Sequence, residues 1–151
     1  MPSWVRGDYT IATDPALLDT SVIRSWLTTT YWAKGIPLDV VERAVQGSIC
    51  FGVLCREELV GFGRVVTDGA TFAWICDVFI KQEHRGQGLG RWLINSMREH
   101  PHLQGLRRWV LATWDAHGVY RACGFTPLRR PENWLEIRAD DPYGAGASTI
   151  V

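Results

Sequence analysis

The run Arg85-Gly86-Gln87-Gly88-Leu89-Gly90 is the part of this sequence best suited to hold a charged group. It follows an apolar, strand-like stretch at 72–80 and opens a helix-like stretch at 91–99. Glycines at such a junction let backbone approach a ligand closely, because no Cβ stands in the way. The helix that starts there presents unpaired N–H groups and the positive end of its dipole. Together these make an anion site suited to a phosphate or pyrophosphate. A P-loop does not fit, because no Lys-Ser or Lys-Thr follows the glycines. A dinucleotide fingerprint does not fit either: the spacing from Gly86 is G-x-G-x-G, and the preceding strands read as hairpins rather than a βαβ unit. The plainest alternative is a glycine-rich turn that only caps a helix.

The elements around this loop follow from hydrophobic period and turn chemistry. A strand is expected at 9–12, a helix from Asp14 or Asp19 onward with Val22, Ile23, Trp26 and Leu27 on one face, and a second helix at 38–46 closed by Gly47. The period then changes. Strands are expected at 48–55, 59–67 and 71–80, joined by the polar turn Arg56-Glu57-Glu58 and the hairpin dipeptide Asp68-Gly69, so they are antiparallel. After the glycine loop come a helix at 89–98, ended by Pro101, and a strand at 109–113 whose helical crossover allows a parallel partner. Asp115 is placed to cap a short helix at 116–123. Two closing strands are expected at 125–128 and 133–138. One domain over 1–139 and a loose, Gly/Ala/Ser-rich tail over 140–151 account for the chain.

Two motifs in this order, R-x-x-G-x-G after a strand and A-x-x-x-Y-x-x-x-G-F at 116–125, resemble those of the GCN5-related N-acetyltransferases (GNATs). The resemblance runs from about Tyr9 to Arg138. It implies an α/β (α+β) fold with a central mixed, mostly antiparallel twisted sheet, helices on both faces, and splayed parallel strands four and five. It also implies acetyl-CoA as cofactor. Its pantetheine arm would lie in the splay against backbone of Val78, Phe79 and Ile80, with its pyrophosphate on the amides of Arg85, Gly86, Gln87, Gly88, Leu89 and Gly90. Tyr120 would then be the general acid to the leaving CoA sulfur. A carboxylate is the usual base for an attacking ammonium. Asp77 is the first candidate, although family members often carry the acid one position earlier, where this chain has Cys76; Asp115, Asp68 and Glu83 are weaker. Tyr31, Trp32, Arg64, Phe72, Trp74 and Trp114 are candidate acceptor-pocket residues, suggesting an aromatic or apolar amine with at most one charge.

Composition bounds the reading. With 16 basic and 16 acidic residues, no global field collects nucleic acid or anionic membrane. No apolar run approaches the roughly 20 residues of a membrane span, and no signal peptide is evident. The four cysteines lack C-x-x-C spacing, and the four histidines lack the helical spacing of a metal pair. No metal and a reduced, cytoplasmic setting are therefore expected. The implied function is acetyl transfer to a primary amine of a small molecule or peptide. The resemblance also implies a possible homodimer. A different acyl chain, a hydroxyl acceptor, a non-catalytic acyl-CoA-binding module on the same fold and a nucleotide-binding domain are the competing readings.

Overall fold

The computed structural model describes residues 1–144. Its frame is a six-stranded sheet in which spatial order follows chain order. The strands are β1 (Ser3–Arg6), β2 (Tyr9–Ala12), β3 (Ile49–Cys55), β4 (Glu58–Thr67), β5 (Phe72–Ile80) and β6 (Arg108–Val110). Every neighbouring pair is antiparallel except β5 and β6, which are parallel. The mixed, mostly antiparallel sheet is thus as expected. Its expected fourth and fifth strands are β5 and β6 once β1 is counted.

Helices cover both faces. On one side, α1 (Thr20–Leu27) and α2 (Leu38–Gln46) enclose a cluster built on Ile23, Leu27, Val41 and Phe62. On the other, α3 (Leu89–Glu99) and α4 (His117–Ala122) close a larger cluster around Phe51, Val60, Leu93, Ile94 and Met97. Local sequence sets the boundaries. The Asp19 carboxylate accepts from the N–H groups of Ser21 and Val22 and so caps α1. Asp68 accepts from the N–H groups of Ala70 and Thr71 and, with Gly69 at φ +74°, fixes the β4–β5 turn.

Two departures from regularity position the site. First, Phe62 of β4 pairs with Phe79 of β5 and Arg64 with Cys76, so Asp77 and Val78 face the single residue Gly63. This is a β-bulge, and Asp77 holds the left-handed conformation at φ +56°. Second, β5 and β6 pair only over Phe72–Trp74 and Arg108–Val110, and then part. A bulge bends its strand and increases its twist, which takes the far half of β5 away from β6. Gly63 lets α3 press on the bulge: a Cβ there would meet Met97 Cε at 2.5 Å and Leu93 Cδ2 at 3.3 Å.

The sequence reading differs from the structure at both ends. It omitted β1, which pairs with β2 through a turn at Gly7 (φ +58°). The expected strand at 109–113 is shorter, because pairing stops where β5 diverges. Neither 125–128 nor 133–138 is a strand. Pro127 cannot donate to a ladder. Pro131–Asn133 is a 3-10 turn, after which Trp134 packs under Arg108, 4.9 Å from guanidinium carbon to ring centroid. Within the segment expected to be loose, Tyr143 packs on the α1–α2 cluster; residues 145–151 lie outside the described ones.

Gly61 on β4 is the tightest of these close approaches to involve backbone. A Cβ there would lie 3.0 Å from the Phe79 carbonyl oxygen and 2.7 Å from Ile80 Cδ1. Gly61→Ala is expected to cost about 1–3 kcal/mol, read as a lowered urea midpoint with unchanged slope.

Candidate active site

Two cavities meet at the splay. The first, about 700 Å³, runs along Val78, Phe79 and Ile80 to the glycine loop and the start of α3. Along this stretch β5 has β4 on one side and, among the described residues, no partner strand on the other. Gly86 and Gly88 have φ +82° and +83°, a conformation that favours glycine. No side chain caps α3, so its first-turn N–H groups remain for a ligand. Arg91 stands in that first turn, with no acidic residue there. Arg85 donates from Nε to the Ile80 carbonyl at 2.7 Å, and its guanidinium lies over Phe79, which stacks on Trp26 at 5.4 Å. Its exposed head is therefore held at the loop.

Of the nine residues expected to hold cofactor, eight line this cavity, and the exception is Gln87. Its side-chain amide turns away and donates to Tyr9 Oη and the His84 carbonyl. Gln87 thus ties the loop to β2. Residues of the cavity that the sequence reading missed include Thr30, His84 and Val119. They lie in the α1–α2 connection, the turn before the loop and α4, which only the tertiary fold brings to one place.

The second cavity, about 690 Å³, lies between the α1–α2 connection, the centre of β4 and β5, and the chain after β6. Tyr31, Trp32, Arg64, Trp74 and Trp114 all line it. Phe72 does not; it sits at the start of β5, before the strands part. Tyr31 and Trp114 stack with centroids 3.6 Å apart, and the Trp114 N–H donates to Tyr31 Oη at 3.3 Å. This aromatic clasp joins the α1–α2 connection to the β6–α4 loop. The lining also includes Cys76, Asp115, Arg138 and Tyr143. Arg138 and Tyr143 belong to the expected closing strand and the expected loose tail, and nothing in either pattern directs them to this cavity.

Asp77 is the centre of this wall. Its Oδ2 accepts from Arg64 Nε at 2.5 Å and its Oδ1 from Trp32 Nε1 at 2.9 Å. The Asp77 side chain is 9% exposed and Arg64 19%, so this is a largely desolvated ion pair. Burial is the largest single influence on the Arg64 charge and works against it, but the attraction and hydrogen bond of Asp77, together with the neighbouring Cys76 and Cys50, leave the guanidinium pKa raised. Burial pushes the neighbouring Cys50 and Cys76 thiols up to about 12, so neither supplies a competing anion. Asp115, expected to cap α4, does not. The N-cap is Ala116 without a side-chain bond, and Asp115 Oδ1 accepts instead from Thr113 Oγ1 at 3.3 Å. That leaves its exposed carboxylate at both cavities.

Tyr120 of α4 also lines both cavities. Burial, and then the proximity of Tyr31 and Asp115, push its phenol up to about 12. A phenol with that pKa keeps its proton throughout the neutral range and can donate it to a developing anion.

Comparison with known proteins identifies relatives of this arrangement. The acetyltransferase (GNAT) domain model matches residues 46–127, which span the α2–β3 junction to the chain after α4. A Gibberella zeae protein named "Putative acetyltransferase FG08082" is 38% identical, with 75% of this chain and 76% of that one covered. A crystal structure of a "putative acetyltransferase belonging to the gnat family" from Xanthomonas campestris pv. campestris superposes with a TM-score of 0.86 at 46% identity, covering 89% of this chain and 96% of that one. At 15% identity, a Clostridium acetobutylicum "predicted acetyltransferase with acetyl-CoA" shares the fold with a TM-score of 0.63, over 86% of this chain and 94% of that one.

Removing one partner of a desolvated ion pair strands the other charge. Asp77→Ala is expected to cost on the order of 3 kcal/mol in urea unfolding. Asp77→Asn, which tolerates the left-handed backbone and can still hydrogen-bond, is expected to cost less. Equal losses would show that the charge, and not the hydrogen bonding, holds the bulge.

Proposed function

The chain belongs to the GNAT acetyltransferase family, and from that membership we propose that it moves an acetyl group from acetyl-CoA to a primary amine of a small molecule or peptide. The observation that carries this reading is the position of Tyr120. It stands where a cavity with an anion-binding loop meets a second, aromatic-lined cavity. Acetyl-CoA fits the first cavity by its chemistry. The positive-φ glycines, the uncapped α3 N-terminus, Arg85 and Arg91 suit a pyrophosphate, and the unpartnered edge of β5 suits an amide-bearing arm.

When bound there, acetyl-CoA supplies an activated acyl thioester. The residues of the chain do the rest. Backbone at 78–80 orients the arm, and the amides from Arg85 to Gly90 hold its anionic end. The clasp of Tyr31 and Trp114, with Trp32 and Trp74, screens the second cavity and orients the acceptor amine by apolar contact. Tyr120 holds its proton on Oη and donates it to the sulfur as the carbon–sulfur bond breaks. Asp77 has both oxygens committed to Arg64 and Trp32. We therefore assign it to positioning the bulge, in place of the base role expected from the sequence. The proton that the acceptor ammonium loses leaves through the open side, where the Asp115 carboxylate stands. Attack by the amine in a ternary complex needs no covalent enzyme intermediate, and burial holds the Cys76 thiol on the cavity wall protonated.

Tyr120→Phe is expected to lower kcat by about 10²-fold with little change in the Kd for acetyl-CoA, followed as thiol release at saturating amine. Near-normal turnover would remove Tyr120 from the donor role. Because the phenol pKa lies near 12, no alkaline fall in kcat assignable to Tyr120 is expected below about pH 11. A fall that appears well below that and vanishes in Tyr120→Phe would mean that the proton is lost earlier than the buried site implies.

A further inference from the structure

Among the described residues, the charged side chains that line the second cavity are Arg64, Asp77, Asp115 and Arg138. The first two cancel. Arg64 and Asp77 form the desolvated ion pair, and Arg64 Nη1 donates to Ser48 Oγ at 3.0 Å. Asp115 and Arg138 remain. Both are exposed, and neither enters an ion pair among the described residues. Their places differ. Asp115 lines both cavities and so stands at their junction, close enough to Tyr120 to act on its phenol, whereas Arg138 lines the second cavity alone. The second cavity therefore carries an acid where it meets the first and a cation elsewhere on its wall.

Much of the remaining wall is aromatic and open to water. Trp114 is 68% exposed, Tyr31 43% and Trp32 42%, although the three rings meet one another. Tyr31 stacks on Trp114 with centroids 3.6 Å apart and meets Trp32 edge-on at 4.9 Å. Aromatic faces grouped in a concavity and left in water mark a ligand surface rather than core. The Tyr31–Trp114 stack is closed, with no space for a third ring inside it. A ligand ring therefore lies against the open faces of this cluster and against Trp74, which also lines the cavity.

We propose that the acceptor is a small arylalkyl amine that carries a carboxylate on the side of the ring away from its amine, and that Arg138 binds this carboxylate. The placement of the amine at the junction rests on the acetyl-transfer reading. There the ammonium is attracted to Asp115, the ring covers the aromatic wall, and the carboxylate takes charge-assisted hydrogen bonds from the Arg138 guanidinium. Other acceptors use the same wall less fully. A polyamine gains cation–π attraction from the rings but brings a second cation toward Arg138. A free α-amino acid holds its carboxylate beside its amine, so at the junction Asp115 repels it. An aryl amine with no second charge leaves Arg138 without a partner. Ligand specificity thus comes from a residue that neither the glycine loop nor the motif at 116–125 contains.

The test is calorimetric titration of the full chain, alone and with CoA present, using benzylamine, para-carboxybenzylamine, para-(aminomethyl)benzylamine and phenylalanine. The carboxylate compound is expected to bind about tenfold more tightly than benzylamine, and the diamine and phenylalanine more weakly than either. In Arg138→Gln the ratio between carboxylate compound and benzylamine is expected to fall toward one. In Arg138→Glu it is expected to invert, with the diamine gaining. Arg138 is exposed, so both variants are expected to keep the wild-type circular dichroism. No binding of any of these amines overturns the proposal. So does tightest binding by the diamine or by phenylalanine, equal binding of benzylamine and its carboxylate, or a carboxylate preference that survives Arg138→Glu. Thiol release from acetyl-CoA is followed separately with the same amines. The predicted binding order without thiol release would support the ligand class and overturn acetyl transfer, so the two failures are told apart.

Discussion

The active-site architecture depends on one residue held in an unfavourable backbone conformation. Asp77 sits at φ +56° inside a strand, a region that non-glycine residues enter at some cost. What holds it there is its side chain, which binds the Arg64 guanidinium and the Trp32 indole at the same time. The pair is largely out of water, so its Coulombic and hydrogen-bond energy is little screened. The bulge that results turns β5 away from β6 after three residue pairs. Without that divergence there would be no unpartnered backbone at 78–80 and no junction between the cavities.

The parts that surround the bulge divide the chemistry. The glycine loop and the first turn of α3 offer donors and positive charge with no acidic residue in that turn, which favours an anion there. The aromatic clasp from Tyr31 to Trp114 offers area and little charge. Tyr120 lines both cavities, and burial pushes its phenol up to about 12. The same packing links fold to function. Gly63 lets α3 lie directly on the bulge, so the helix that follows the glycine loop packs against the bend in β5.

Much of this was readable from the sequence because local signals agreed with tertiary ones. The glycine loop, the helix after it and the Asp68-Gly69 turn are short-range features, and they formed where expected. Of the six residues that the family resemblance implied for an acceptor pocket, all but Phe72 line the second cavity. The bulge was not legible, because a carboxylate in the left-handed region carries no local signature. Asp77 accordingly reads as a base in one dimension, while in three its oxygens accept from Trp32 and Arg64. Asp115 shows the reverse: an Asp before a short helix looks like a cap, yet its oxygen bonds to Thr113 and leaves the helix uncapped. The alternation at 133–138 has the pattern of a strand, but pattern does not say which edge a strand joins. Here the segment lies apart from the sheet, with its aliphatic face in water.

The splay and the glycine loop together are the proposed site for a CoA thioester. Calorimetric titration of the purified protein with acetyl-CoA, CoA and NADH tests that most directly. Binding of both CoA species at one site per chain, with no heat from NADH, is the predicted result. A folded protein that binds neither CoA species would contradict it, and would reduce the loop from Arg85 to Gly90 to the cap of a helix.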